Sequence, residues 1–156
     1  MSSFTTKLIV EVEDDGIHSV IHEVFTYALG RLNSGINITV PVGYRTDFAS
    51  VPWGIRWLLP AHGKYGKAAV IHDYLCTYRH VMVDGVGVFI TREQADAIFL
   101  EAMTVLKVPA WQKYSMYVAV RAYANTAGLD IADYAKEAEK PGYFTDVLAL
   151  VDKRVA

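Results

Sequence analysis

The chain has 156 residues, 53% of them hydrophobic and 21% charged, which is enough for one domain with a sizeable core and excludes a disordered chain. A formal net charge of -2 leaves no electrostatic case for a nucleic acid or a membrane surface held by a basic face. A single cysteine, Cys76, excludes an internal disulfide, and no apolar run approaches the ~20 residues that span a bilayer.

In chain order, residues 7–12 are β-branched and extended, Asp14-Asp15-Gly16 supplies turn chemistry, and residues 17–27 resume with Val, Ile, Phe and Tyr, which predicts a hairpin. A second turn at Asn33-Ser34-Gly35 leads into Ile36-Asn37-Ile38-Thr39-Val40, whose alternation buries Ile36, Ile38 and Val40 on one face. Pro41, without an N–H for a ladder, ends that strand. Residues 1–42 are therefore expected to form a small antiparallel sheet.

Residues 43–66 read as a loop punctuated by Gly43, Asp47, Pro52 and Gly54. Asp47 and Ser50 are of the type that bonds nearby backbone amides at turns and helix caps. Trp53, Ile55, Trp57, Leu58 and Leu59 give this loop an apolar load suited to packing it on the core.

Residues 67–80 are predicted to be the central helix, with Ala68, Ile71, His72, Leu75 and Arg79 along one stripe. Residues 86–90 follow as a short strand. Thr91-Arg92-Glu93-Gln94 fits a capping box opening the next helix, whose apolar face is Ala95, Ile98, Phe99, Ala102, Met103 and Leu106. Residues 111–127 form a third helix, its Tyr114, Met116, Tyr117, Val118, Val120 and Tyr123 read as core, and Gly128 ends it. A polar segment, 130–140, precedes a last amphipathic helix over about 144–153. The fold class is α+β, a small N-terminal antiparallel sheet followed by a bundle of three to five helices, in one domain spanning 1–156. Ten tyrosines exceed what a core of this size hides, so some of their hydroxyls are expected at an interface.

The chemistry concentrates at His72 and Asp73, an imidazole and a carboxylate placed side by side in an apolar helical run. Burying such groups is unfavourable unless they are hydrogen-bonded or hold an ion. On a helix the two lie about 100° apart, so they flank one edge of the stripe. Asp96 sits at the border of the next helix's apolar face, within reach of its neighbour. Cys76 reads as a small buried thiol. His18, His22, His62 and His80 have no metal-ligand spacing with His72, and a lone histidine among carboxylates falls short of the usual zinc set.

Four stretches carry a resemblance to a known family. They are Val40-Pro41-Val42-Gly43-Tyr44-Arg45-Thr46-Asp47-Phe48-Ala49-Ser50-Val51-Pro52, Ala68-Ala69-Val70-Ile71-His72-Asp73-Tyr74-Leu75, Ala95-Asp96-Ala97-Ile98-Phe99 with Met103, and Met116-Tyr117-Val118-Ala119-Val120-Arg121. From about Phe4 to Gly128 the chain resembles a family of uncharacterised phage and prophage proteins, domain of unknown function thirteen fifty-three. That resemblance implies a bacteriophage or prophage origin, with other virion proteins as the expected partners and incorporation into the virion as a candidate fate. It implies no activity. Met1-Ser2-Ser3-Phe4 shows no basic region followed by an apolar core, so synthesis in a host cytoplasm is the expectation.

The His72-Asp73 pair with Asp96 and Phe99 is also similar to the catalytic helices of secreted phospholipases A2. Carried over, His72 would be the base that draws a proton from water, Asp96 would fix its tautomer, and Asp73 would hold calcium, with Asp47 as a second candidate metal ligand. The chain departs from those enzymes in having one cysteine and no glycine-rich calcium loop before the helix.

Two functions remain open. One is a calcium- or zinc-assisted hydrolase of a cell-envelope ester or amide, with His72 and Asp96 catalytic, Asp73 and Asp47 on the metal, and Thr46 and Ser50 supporting. The other is a non-enzymatic virion component, in the head or tail, in which the same side chains are a satisfied polar network pinning the loop to two helices.

Overall fold

A computed structural model describes residues 1–48 and 64–156. The expected caps and packing of Ser50, Trp53 and Trp57 lie outside the described residues. The architecture is the expected α+β one, with the N-terminal strands preceding five helices.

The strands form two sheets where one was expected. β1 (Ser3–Phe4), β4 (Phe25–Ala28), β5 (Ile36–Val40), β7 (His80–Val83) and β8 (Val86–Phe89) form a five-stranded sheet in the order β1-β4-β5-β7-β8, antiparallel throughout. β2 (Val10–Val12), β3 (Ser19–Ile21) and β6 (Arg45–Thr46) form the second. The expected hairpin is β2–β3. The second run, over 17–27, divides because β3 pairs with β2 and β6 while β4 pairs with β1 and β5. β5 matches its expected bounds, and Ile36, Ile38 and Val40 are buried.

α1 (Gly66–Tyr78) stops short of the expected His80 because Arg79 adopts a left-handed cap at φ 56°, its amide bonded to the Leu75 carbonyl. His80 therefore opens β7, a strand the sequence reading placed in helix and loop. Asp84 and Gly85, with φ of 49° and 82°, give the two-residue turn that matches the twist of a β7–β8 hairpin. α2 (Arg92–Val105) starts at Thr91, whose hydroxyl accepts the Gln94 amide. The capping box is half made: the Gln94 side chain donates to the Thr145 carbonyl and accepts the Val147 amide.

α3 (Ala110–Thr126) buries Gln112, Met116, Val120 and Ala124. Tyr114, Val118 and Tyr123, read from sequence as core, are exposed instead. The polar segment proves helical, as α4 (Leu129–Glu139), and α5 (Val147–Val155) begins three residues later than expected, capped by the Asp146 side chain on the Ala149 amide. α1 packs on α2 and α2 on α3. The core they enclose with the larger sheet joins Phe25, Tyr27, Ile36 and Ile38 to Ile71, Leu75, Ile98, Phe99 and Met103. No helix of the described residues is long and apolar enough to cross a membrane.

Candidate functional site

The rotation between neighbours on α1 sends His72 and Asp73 to different places. His72 enters the α1–α2 interface, with no exposed surface, and its ring stacks on Phe99 at 4.5 Å. Its Nε2 lies 2.6 Å from Oδ1 of Asp96, which is likewise fully buried. The contact expected between His72 and Asp96 is therefore made.

Two arginines complete the centre. Arg92, one helical turn before Asp96, donates Nε to Oδ1 at 2.9 Å. Arg121 of α3 donates Nη1 to Oδ2 at 2.8 Å and Nη2 to Asp130 of α4 at 2.6 Å. A second α4 carboxylate, Asp133, accepts Arg79 at 2.8 Å and the Arg92 backbone amide at 2.6 Å. One charge-assisted network thus links all four helices α1–α4.

The protonation states follow. Burial pushes the His72 pKa below its ordinary value, against the raising influence of Asp96. Burial would raise the Asp96 carboxyl, but hydrogen bonding and charge from His72, then Arg92 and Arg121, outweigh it and hold that carboxyl below the ordinary range. An ionised Asp96 can only accept, so Nε2 of a neutral His72 carries the proton and Nδ1 keeps its lone pair. Nδ1 is buried and has no hydrogen-bond partner among the described residues.

Asp73 faces the smaller sheet. Its Oδ2 accepts the Thr46 hydroxyl at 2.6 Å, and Thr46 in turn accepts the Phe48 amide at 3.2 Å. Both side chains are buried at the edge of a cleft of about 340 Å³, whose described lining includes Asp47, Tyr44, His18, Cys76 and Thr77. The structure therefore brings together His72 with Asp96, and separately Asp73 with Thr46 and Asp47. His72 and Asp96 are not among the residues lining that cleft.

Each half can be tested against a metal. Ligand atoms of His72, Cys76 and Asp96 lie within 4.8 Å of one another. Zinc would need the thiolate, yet burial pushes the Cys76 thiol up to about 12, and both Asp96 oxygens already face guanidinium groups. That set fits a dication poorly. The Asp73–Asp47–Thr46 cleft offers hard oxygen donors, the chemistry calcium uses. An exposed set, Glu13, Asp15 and His18, is occupied by Arg45, which donates to Glu13 at 2.7 Å.

Sequence reasoning missed Arg92, Arg121, Asp130 and Asp133. Arg92 was visible as an arginine four residues before a carboxylate on one helix. Arg121 and the α4 acids are joined only by tertiary packing.

A family model described as "Protein of unknown function (DUF1353)" matches residues 19–120, a narrower span than the expected one at both ends. A curated relative, "Uncharacterized protein y4jT" of Sinorhizobium fredii, is 34% identical over 92 residues, covering 58% of this chain and 25% of that protein. The chain thus spans about a quarter of that relative's length. No solved structure matches.

Proposed function

The chain belongs to the DUF1353 family of proteins of unknown function, and from that premise we propose that it is a non-enzymatic component of a bacteriophage or prophage particle or of its assembly. In this reading His72, Asp96, Arg92 and Arg121 form the polar pillar that fixes the helices. One observation carries the non-enzymatic part: Asp96 is fully buried with His72, Arg92 and Arg121 on its two oxygens. A general base must reach the proton it takes. Here the dyad is sealed between α1 and α2, with Phe99 against the imidazole. The phage setting is supported by the sequence resemblance alone.

A second reading, the metal-assisted hydrolase, is favoured by one specific feature. Nδ1 of His72 keeps a buried lone pair without a partner among the described residues, on a ring whose other nitrogen is oriented by a carboxylate. Asp73 and Asp47 at the neighbouring cleft would supply calcium ligands, and the ion would polarise a carbonyl of a cell-envelope ester or amide.

The variant His72→Asn separates the two. A structural His72 leaves Asp96 short of a donor when replaced, lowering stability by about 1–3 kcal/mol with no activity to lose. A catalytic His72 would give a folded but inactive variant, hydrolysis of bacterial lipid or peptidoglycan by the wild type, and a calcium-dependent rise in its melting temperature that EDTA reverses. Hydrolysis by wild type that is lost in the variant would overturn the structural reading.

A further inference from the structure

We propose that α3 and α4 form the contact between two copies of this chain, with α3 packed antiparallel to its counterpart about a twofold axis through Val118. The outward side of α3 presents Trp111, Tyr114, Val118, Ala122 and Asn125, with Trp111, Tyr114 and Val118 at 63%, 53% and 63% exposure. None of these carries a charge. The two charged residues of α3, Lys113 and Arg121, are half-buried and bonded to Thr104 and to Asp96 and Asp130.

α4 has the same character on its outer side. Of its four acids, Asp130 and Asp133 turn inward to arginines, Glu137 accepts the Gly142 and Phe144 amides, and Glu139 flanks the outer side with Lys136; none of its residues is buried. Ile131, Tyr134, Ala135 and Ala138, at the spacing of one helical stripe, remain exposed. An amphipathic helix with its apolar stripe turned outward is stable when something covers that stripe.

The choice of a second copy rests on how the stripe is laid out. At about 100° per residue, Trp111, Tyr114, Ala122 and Asn125 are disposed symmetrically about Val118, both along the helix and around it. A twofold axis at Val118 therefore sets Val118 on Val118, Tyr114 on Ala122 and Trp111 on Asn125, each large ring against a smaller residue. That is the self-complementarity an isologous interface requires. Lack of charge in the stripe removes like-charge repulsion between copies.

The area is also adequate. With roughly 150–250 Å² available from each aromatic side chain, the exposed parts of the two stripes together offer at most about 600–800 Å² per copy, which reaches a standard-size interface when α4 joins α3 in the contact. Such pairing is independent of whether His72 does chemistry.

The test is the mass of the whole chain in solution by sedimentation at tens of micromolar, for wild type and for Val118→Arg. Two copies, twice 17.4 kDa, are expected for the wild type. Val118→Arg places two guanidinium groups on the axis and should weaken dimerisation at least ~100-fold, while its exposed position leaves helicity and melting unchanged at monomer concentrations. Val118→Cys should form a disulfide-linked dimer on mild oxidation, because only residues near the axis meet their own copies. A monomeric wild type overturns the proposal. So does a dimer untouched by Val118→Arg, which would place the contact elsewhere, or a monomer that binds lipid vesicles through this face.

Discussion

Replacing Asp96 by Asn tests the central network most directly. The change keeps the shape of the side chain and removes its charge. Asp96 has no exposed surface and accepts from His72, Arg92 and Arg121 at 2.6–2.9 Å. Asn retains one carbonyl oxygen for part of this set, but its amide group then presents N–H donors to guanidinium donors. Arg121 keeps Asp130, and at 18% side-chain exposure it also retains some water, whereas Arg92, at 7%, has little recourse. Removing one partner of a buried ionic group typically lowers stability by about 3–5 kcal/mol. At roughly 2–4 °C per kcal/mol for a chain of this size, the melting temperature should fall by about 6–20 °C. Urea unfolding followed by circular dichroism and by tryptophan fluorescence would measure it and check two-state behaviour. The double variant with His72→Asn should lose less than the sum of the single losses, since both changes break the same contact. A loss below about 1 kcal/mol for Asp96→Asn would refute the claim that this network fixes the helices.

Two further outcomes follow from the same geometry. Thr46→Val removes the donor to Asp73 and the acceptor for the Phe48 amide, so it should lower stability by about 1–3 kcal/mol; a variant melting with the wild type would show that this bond does not anchor β6 to α1. Stability should also fall with acid in two stages. His72 has a folded pKa depressed below 6.5, so its contribution is present above that value and lost as pH falls towards the folded pKa. Asp96, depressed below 3.8, keeps its contribution above that value and loses it at lower pH. Urea midpoints measured from pH 8 to 4, with a shallower slope below pH 6.5 in His72→Asn than in wild type, would confirm the assignment to His72, and parallel curves would exclude it.

What could be read from the sequence was whatever local pattern determines. β5 alternates and ends at a proline, so its bounds and buried face were legible. The His72–Asp96 contact was legible because each side chain interrupts an apolar stripe, and the two stripes had to meet. β7 was hidden: the apolar residues Val81, Met82 and Val83 follow the helix directly, and the stop is a left-handed arginine, a conformation more common for glycine. α4 was hidden because its apolar stripe, Ile131, Tyr134, Ala135 and Ala138, is small and set among the six charged residues of 130–140, so the segment reads as polar. Ion pairs with Arg79 and Arg121 attach it, and such partners are set by tertiary packing. The same limit applied around Asp96: its place at the border of an apolar face was legible, whereas the Arg121 guanidinium on its second oxygen comes from a different helix.

The segment after residue 120 lies outside the family match, yet it carries Asp130 and Asp133 to three arginines of the helical core. Arg79 and Arg92 belong to the matched span, and Arg121 follows its last residue. The matched stretch thus holds Arg92 with its partner Asp96, but leaves outside it the carboxylate, Asp133, that accepts the Arg79 guanidinium and the Arg92 backbone amide. Whoever trims this fold to its matched portion would leave Arg79 without its carboxylate partner, and whoever keeps the chain through Arg121 would have to bring α4 along to pair that guanidinium too. The end of the family match and the end of the ion-pair network therefore do not coincide.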